Sequence, residues 1–251
     1  MTWLRAPLRY LPVLILALVW ELVVRLGLVS DQILPALSDV AAAWWRLMVE
    51  GDIPLHAKAS FGRAAYGLAI AAVIGGVGGL AMVQSRTVYR LLNPILQMLY
   101  PIPKSALIPL VLIFFGIGSA SKVFLIALGC TLPILLSTLN GARGVDRSVL
   151  WSAESLGASR LATLWEIRVP AAMPEILAGL RTATAFCFIL LVSSELLISR
   201  DGLGYLIANF GEAGIYPEMF AVILTVAATG FCVDRLLLAL SRFVLRWQAP
   251  S

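Results

Sequence analysis

Six apolar runs of membrane-crossing length divide this sequence, and nothing else in it restricts the fold as strongly. They lie at about residues 11–29, 64–83, 91–115, 123–139, 174–198 and 215–238. A helix needs ~20 residues to cross the hydrocarbon of a bilayer. Composition agrees: 60% of the 251 residues are hydrophobic and 13% are charged, whereas a soluble domain is about half apolar and about a quarter charged. In water, such a chain would lack the polar residues needed to face solvent. The expected fold is an all-α polytopic membrane protein with six transmembrane helices, a single domain over residues 1–251. The first run is not expected to be a cleaved signal, because Glu21 and Arg25 interrupt it and no small-residue cleavage pattern follows.

An even number of spans puts both termini on one side, and the distribution of basic residues selects the side. With the N-terminus inside, the inner segments hold Arg5, Arg9, Arg86, Arg90, Arg143, Arg147, Arg160, Arg168, Arg242 and Arg246. The outer segments hold only Arg46, Lys58, Arg63, Lys122 and Arg200. The expectation is N-in and C-in. The net charge of +5 is then a signature of orientation, and no nucleic-acid partner is implied.

Several local features follow. Ser38 and Asp39 can cap a helix carrying Trp44 and Trp45, which suit a membrane interface. A short helix around His56–Gly62 is expected before the second run. Gly75 and Gly79 form a GxxxG pair inside that run, which allows another helix to approach closely. The third run contains Pro94, Pro101, Pro103 and Pro109, so it is expected to be broken. Cys130, Cys187 and Cys232 are far apart and read as small buried hydrophobes. With one histidine, His56, and no ligand spacing, a metal site and a nucleophile–base enzyme are both disfavoured. Gly116–Lys122 lacks the second glycine and the Ser/Thr of a phosphate-binding loop, so the chain itself is not expected to hydrolyse ATP.

The segment 140–172 is too polar to span and too patterned to be a linker. Asp146 or Ser148 can cap a helix over Val149–Leu156, and Gly157 can close it in the left-handed conformation. Ser159 can cap a second helix over Arg160–Ile167, which Pro170 and Pro174 would end as the fifth span begins. Leu150, Ala153, Glu154 and Gly157 recur at three- and four-residue spacing on one face. On spacing alone, this is a helical hairpin that either lies on the membrane or docks on a partner. Leu156, Leu161, Leu164 and Trp165 are its apolar residues with either fate.

The run Ser152-Ala153-Glu154-Ser155-Leu156-Gly157-Ala158-Ser159, followed by Ile167-Arg168-Val169-Pro170, resembles the EAA loop of bacterial ABC-importer permeases. Trp151 and Ser152 stand where that pattern has Glu-Ala, and Val169 stands at its leucine. Tyr100-Pro101-Ile102-Pro103-Lys104, Phe115-Gly116-Ile117-Gly118, Gly141-Ala142-Arg143-Gly144-Val145-Asp146, Gly202-Leu203-Gly204-Tyr205-Leu206-Ile207 and Asp234-Arg235-Leu236-Leu237 are similar to the nitrate/sulfonate/taurine branch. The resemblance implies a type I importer permease fold in the bacterial inner membrane. It implies a dimer of ABC ATPases that bind ATP and Mg, a second permease copy, and a periplasmic or lipid-anchored solute-binding protein. It assigns the ATPase-coupling role to Leu150, Ala153, Glu154, Leu156, Gly157, Ala158, Ser159 and Arg160, and it implies a small anion as solute.

Ionisable residues inside spans are costly and mark function or an internal partner. Lys104, with Pro103 and Ser105, lies in the broken third run, and Glu195, with Ser193 and Ser194, lies near the outer end of the fifth. These are the candidates for a translocation path or gate. The alternative for Lys104 is a structural pairing with a carboxylate or a helix end. Glu21 and Arg25, four apart, are expected to pair, and Asp234 and Arg235 to anchor the inner interface. The polar stretch Arg200–Glu218 is either a short re-entrant or outer helix that touches the binding protein or a plain connection. A secondary transporter or channel working without an ATPase is the competing class; it would usually show internal repeats, and none is evident.

Overall fold

A computed structural model describes residues 5–31 and 33–247. Among the described residues it is built of helices and has no strand. The long elements are α1 (Arg5–Arg25), α3 (Asp52–Gln84), α6 (Ser119–Arg143), α9 (Val169–Leu197) and α11 (Tyr216–Val244). The shorter ones are α2 (Leu37–Glu50), α4 (Arg86–Leu99), α5 (Ile108–Phe115), α7 (Arg147–Ser155), α8 (Arg160–Ala162) and α10 (Leu203–Glu212). Four stretches are each long and apolar enough to cross a membrane: α3, α6, the continuous stretch Arg160–Leu197 and α11. The pair Arg86–Leu99 and Lys104–Phe115 makes a fifth if its two arms, bent by 90°, count as one span. Pro101 and Pro103 sit at that bend, where a helix cannot keep its hydrogen bonds.

α3, α6 and α9 form the centre. Gly67, Ala71, Gly75 and Gly79 recur every fourth residue on one side of α3 and are buried against α6. A Cβ at Gly75 would lie 2.9 Å from Ile134, and one at Gly79 would lie 2.7 Å from Thr138. The expected GxxxG contact is therefore with α6. Leu125, Ile126, Cys130 and Ile134 of α6 pack with Ala183, Cys187, Leu190 and Leu191 of α9 and with Ile108 and Val111 of α5. A second core joins α2 and α10 to α3 and α11 through Val40, Leu47, Ile53, Leu206 and Val222.

Four local expectations change. α3 starts at Asp52 and runs unbroken for 33 residues, so no separate helix forms around His56–Gly62. Arg63 and Lys122 consequently lie within α3 and α6, not in outer loops. α2 begins at Leu37, so its cap position falls on Ala36, which has no side-chain acceptor; Ser38, already inside the helix, donates its N–H and its hydroxyl to Glu21, at 3.1 and 2.8 Å. Pro170 and Pro174 do not stop the helix after Arg160. A wide π turn at Thr163–Arg168 leads directly into α9, and the helix runs on past both prolines, with Pro170 in the first turn of α9 and Pro174 inside it. Finally, Cys130 and Cys187 are buried as expected but Cys232 is exposed. The Glu21–Arg25 pair forms at 3.0 Å, and Asp234 accepts two bonds from Arg181.

Candidate functional site

Three regions hold the residues singled out above. The first is the loop that carries α7. Asp146 caps α7 by accepting from the Ser148 N–H at 2.9 Å, and that bond holds its carboxyl below the usual carboxylate range. Gly157 adopts φ +85°, the left-handed turn expected of it. Ser159 then accepts from the Ala162 N–H at 3.1 Å, and the carbonyl of Arg160 accepts from Gln84 at 3.2 Å, tying the loop to the end of α3. Leu150, Ala153 and Ala158 are half-buried, while Glu154, Ser159 and Arg160 are exposed. Leu156 is 89% exposed, and Trp151, Leu161 and Trp165 are also exposed; Leu164 alone of the loop's apolar set is buried. α7 buries none of its residues against its own chain.

The second region is a cavity of about 560 Å³ between the α4–α5 bend, α6 and α9. Pro103, Lys104 and Ser105 line it together, with Ser137 and Pro133 from α6 and Thr182 and Phe186 from α9. The Lys104 ammonium donates to the carbonyls of Leu99, Tyr100 (3.4 Å) and Ile102 (2.7 Å). The Leu99 and Tyr100 carbonyls lie at the end of α4, where the helix dipole favours a cation, and the Ile102 carbonyl lies in the bend just beyond it; Leu99 also accepts from the Ile102 N–H at 3.4 Å. Lys104 thus pairs with a helix end and also forms part of a cavity wall. Ser137 and Thr182 lie in apolar runs, and only their helical register, once the bend was known, could have marked them as neighbours of Lys104.

The third region lies at the opposite end of the bundle from α7. Glu195 is 1% exposed and Arg63 5%. The Arg63 guanidinium donates to Glu195 Oε1 at 2.7 Å, to the Ser119 hydroxyl at 3.0 Å and to the Asp201 carbonyl at 3.1 Å, and it also pairs with the Asp201 carboxylate. Glu195 Oε2 accepts from Ser60 Oγ at 2.8 Å and from the Gly204 N–H at 3.1 Å, the first turn of α10. Ser60 in turn accepts from the Leu203 N–H at 2.8 Å, and His56 Nδ1 accepts from the Gly202 N–H at 2.9 Å. Lys122, 1% exposed, donates to the Ile117 carbonyl at 2.7 Å. The Gly-Leu-Gly run is explained by this knot. A Cβ on Gly202 would collide with the Glu195 carboxylate, and one on Gly204 would lie 2.6 Å from the Glu195 Cβ.

Glu195 and Ser194 therefore do not share the cavity of Lys104. Ser194 is buried and donates to the Leu191 carbonyl at 2.9 Å. The sequence does not reveal the partners of Glu195, because Arg63 reads there as an outer-loop charge. An arginine next to an apolar run, with an acid near the same end of another run, was the available signal. The stretch Arg200–Glu218 holds a packed helix, α10, and is not a plain connection.

Residues 67–246 match the family described as "Binding-protein-dependent transport system inner membrane component". The chain is 36% identical over 239 residues to the putative aliphatic sulfonates transport permease protein SsuC of Escherichia coli (strain K12), covering 95% of this chain and 90% of the relative. It is 34% identical over 239 residues to the taurine transport system permease protein TauC of the same organism, covering 93% and 87%. A chain of the methionine ABC transporter MetNI in inward-facing conformations superposes with a TM-score of 0.62 at 18% identity, over 74% of this chain and 93% of that one.

Proposed function

Since the chain belongs to the family of binding-protein-dependent transport system inner membrane components, we propose that it is the six-span, N-in/C-in permease of an ATP-driven importer in the bacterial inner membrane. The solute is a small sulfonate, taurine, nitrate or a similar anion, of which sulfonates and taurine appear in the names of the relatives. The chain is a transport subunit and not an enzyme. ATP and Mg belong to a dimer of partner ATPases, a second permease copy completes the membrane unit, and a solute-binding protein delivers the cargo to the face that carries α10. The 21-residue α1 is the first span.

The observation that carries this reading is the α7 loop. A nine-residue helix with a capped start and a glycine turn is short and stiff, and Leu156 stands almost fully out of its own chain. Such a knob suits a groove on a protein that moves. Closure of the ATPase dimer would then pull on α9, to which the loop is joined without a break, and bias the spans between two access states. The cavity at Lys104 is the expected holding place along the path: it has one cation, hydroxyls from Tyr100, Ser105, Ser137 and Thr182, and an otherwise apolar wall.

The test is affinity purification of the full chain from cells expressing its ATPase and binding protein. The ATPase should co-purify, and reconstituted vesicles should take up the solute only with binding protein outside and ATP at the α7 face. Uptake without any ATPase would overturn the proposal.

A further inference from the structure

The cavity at Lys104 does not end at Ser137 and Thr182. A second hollow of about 510 Å³ opens nearer the α7 loop, lined by Asn140, Gly144, Ala171 and Glu175 among others. Its α6 residues continue the face of Pro133 and Ser137 in steps of three and four, and its α9 residues continue the face of Phe186 and Thr182 in the same way. Positions three and four apart share one side of a helix. The two hollows thus lie one after the other along the crevice between α6 and α9 and are separate in this structure. Between them the helices pinch, since a Cβ on Gly179 would lie 2.5 Å from the Ser137 Cβ. From Gly129, beside Lys104, to Asn140 is about 16 Å along α6 at 1.5 Å per residue.

The charges at the lower hollow are not equivalent. The Arg143 guanidinium sits 3.9 Å over the Tyr89 ring, and Arg168 donates to the Ala142 carbonyl at 3.3 Å. Glu175 lines the hollow and is exposed. Its carboxylate has no hydrogen-bond or ion-pair partner among the described residues. The crevice therefore has a cation at its deep end and a free anion at its mouth.

We infer that this shared face of α6 and α9 is the inner half of the solute's route, and that Glu175 is the charge-selecting residue at its mouth. The inference rests on the permease reading above, which puts the α7 end in the cytoplasm. A small anion is held near Lys104, passes the Ser137–Gly179 pinch when the helices shift, and leaves past a carboxylate that disfavours its return.

The experiment uses the full transporter in nanodiscs, with the exposed Cys232 changed to serine. Single cysteines replace Ser137, Asn140, Ala171 or Thr182 in the crevice, or the buried Leu139 and Ala142 as controls. Each is exposed to an anionic and to a cationic methanethiosulfonate of similar size. The crevice positions should react and the controls should not. At Asn140→Cys the cationic reagent should be favoured, and adding Glu175→Gln should raise the anionic-to-cationic rate ratio roughly two- to fivefold, the size of one unscreened charge nearby. Equal reaction of the controls, or a ratio that Glu175→Gln leaves unchanged, would overturn the inference. ATPase content is read on the same preparation. A labelling pattern that fails with the ATPase bound removes only this inference, while absence of the ATPase removes the permease reading and leaves the crevice map standing.

Discussion

The knot around Glu195 and the loop around Leu156 break the same rule in opposite directions. At one end charges are buried; at the other large apolar side chains are exposed. The buried charges are satisfied within the chain: Arg63 meets two carboxylates, a hydroxyl and a carbonyl. The exposed side chains of Trp151, Leu156, Leu161 and Trp165 have no such cover. A violation that the chain resolves internally is part of its architecture, whereas one that it leaves unresolved needs another molecule. The two ends should therefore respond to mutation in opposite ways, stability at one and partner capture at the other.

The largest loss of stability is expected at Arg63→Ala. Removing one partner of a buried ion pair leaves an uncompensated charge and costs about 3–5 kcal/mol. Thermal unfolding in detergent should show it, with little folded protein recovered. The double replacement Arg63→Met/Glu195→Leu should recover much of that loss, because it removes both charges. If Arg63→Ala unfolds like the parent, the knot is not what holds α3, α9 and α10 together. Gly204→Ala comes next. A methyl there must fit beside the Glu195 Cβ and the Val192 carbonyl, which stand 2.6 and 2.8 Å from its position. Overpacking of this kind costs about 1–3 kcal/mol.

Much of this contrast could be read in the sequence at one end and little at the other. The α7 loop is governed by neighbours in the chain, so Asp146, Gly157 and Ser159 announce its caps and turn directly. The knot is made by residues far apart: Arg63 and Glu195 are separated by 132 positions. Their meeting depends on how α3 packs on α9, and no local pattern encodes that. The same holds for the cavity. The prolines announce a break at 101–103, but the 90° bend and the choice of Ser137 and Thr182 as its neighbours depend on tertiary packing. The missed early start of α3 has a different cause. The apolar run begins only near Ala64, so 56–62 reads as a separate short helix, yet Asp52 and Lys58 are exposed residues that a single helix extending beyond the hydrocarbon tolerates.

Smaller effects on stability are expected within the loop itself. Gly157 holds φ +85°, and a side chain in the left-handed region costs about 1 kcal/mol. Gly157→Ala should loosen the turn, which hydrogen exchange of residues 147–162 would show. Acid should act more weakly at the same place. The Asp146 carboxyl is lowered in the folded state by its bond from the Ser148 N–H, so its cap is fully present above the usual carboxylate range and is lost as pH falls through the lowered value. Protection at the start of α7 should fade in that window while the spans remain folded. Asp146→Asn, which keeps an acceptor without a titrating charge, should remove the pH dependence.

The smallest effect on stability, and the sharpest division between the two ends, is expected at Leu156→Asp. Leu156 is 89% exposed, so the change removes almost no packing within the chain, and a surface substitution of this kind alters stability by about 0.5 kcal/mol or less. At a docked interface the same change would place an unpaired carboxylate against an apolar groove, where burying a charge without a partner is prohibitive. Unfolding temperature should therefore match the parent while ATPase capture and ATP-driven uptake are both lost. Leu156→Met, which keeps size and apolarity, should retain them. Had the knob instead served to rest the loop on lipid, Leu156→Asp would weaken membrane contact but leave the ATPase bound. Binding of the ATPase by the aspartate variant would thus place the docking surface elsewhere, and the exposed apolar side chains of this loop would need a different partner.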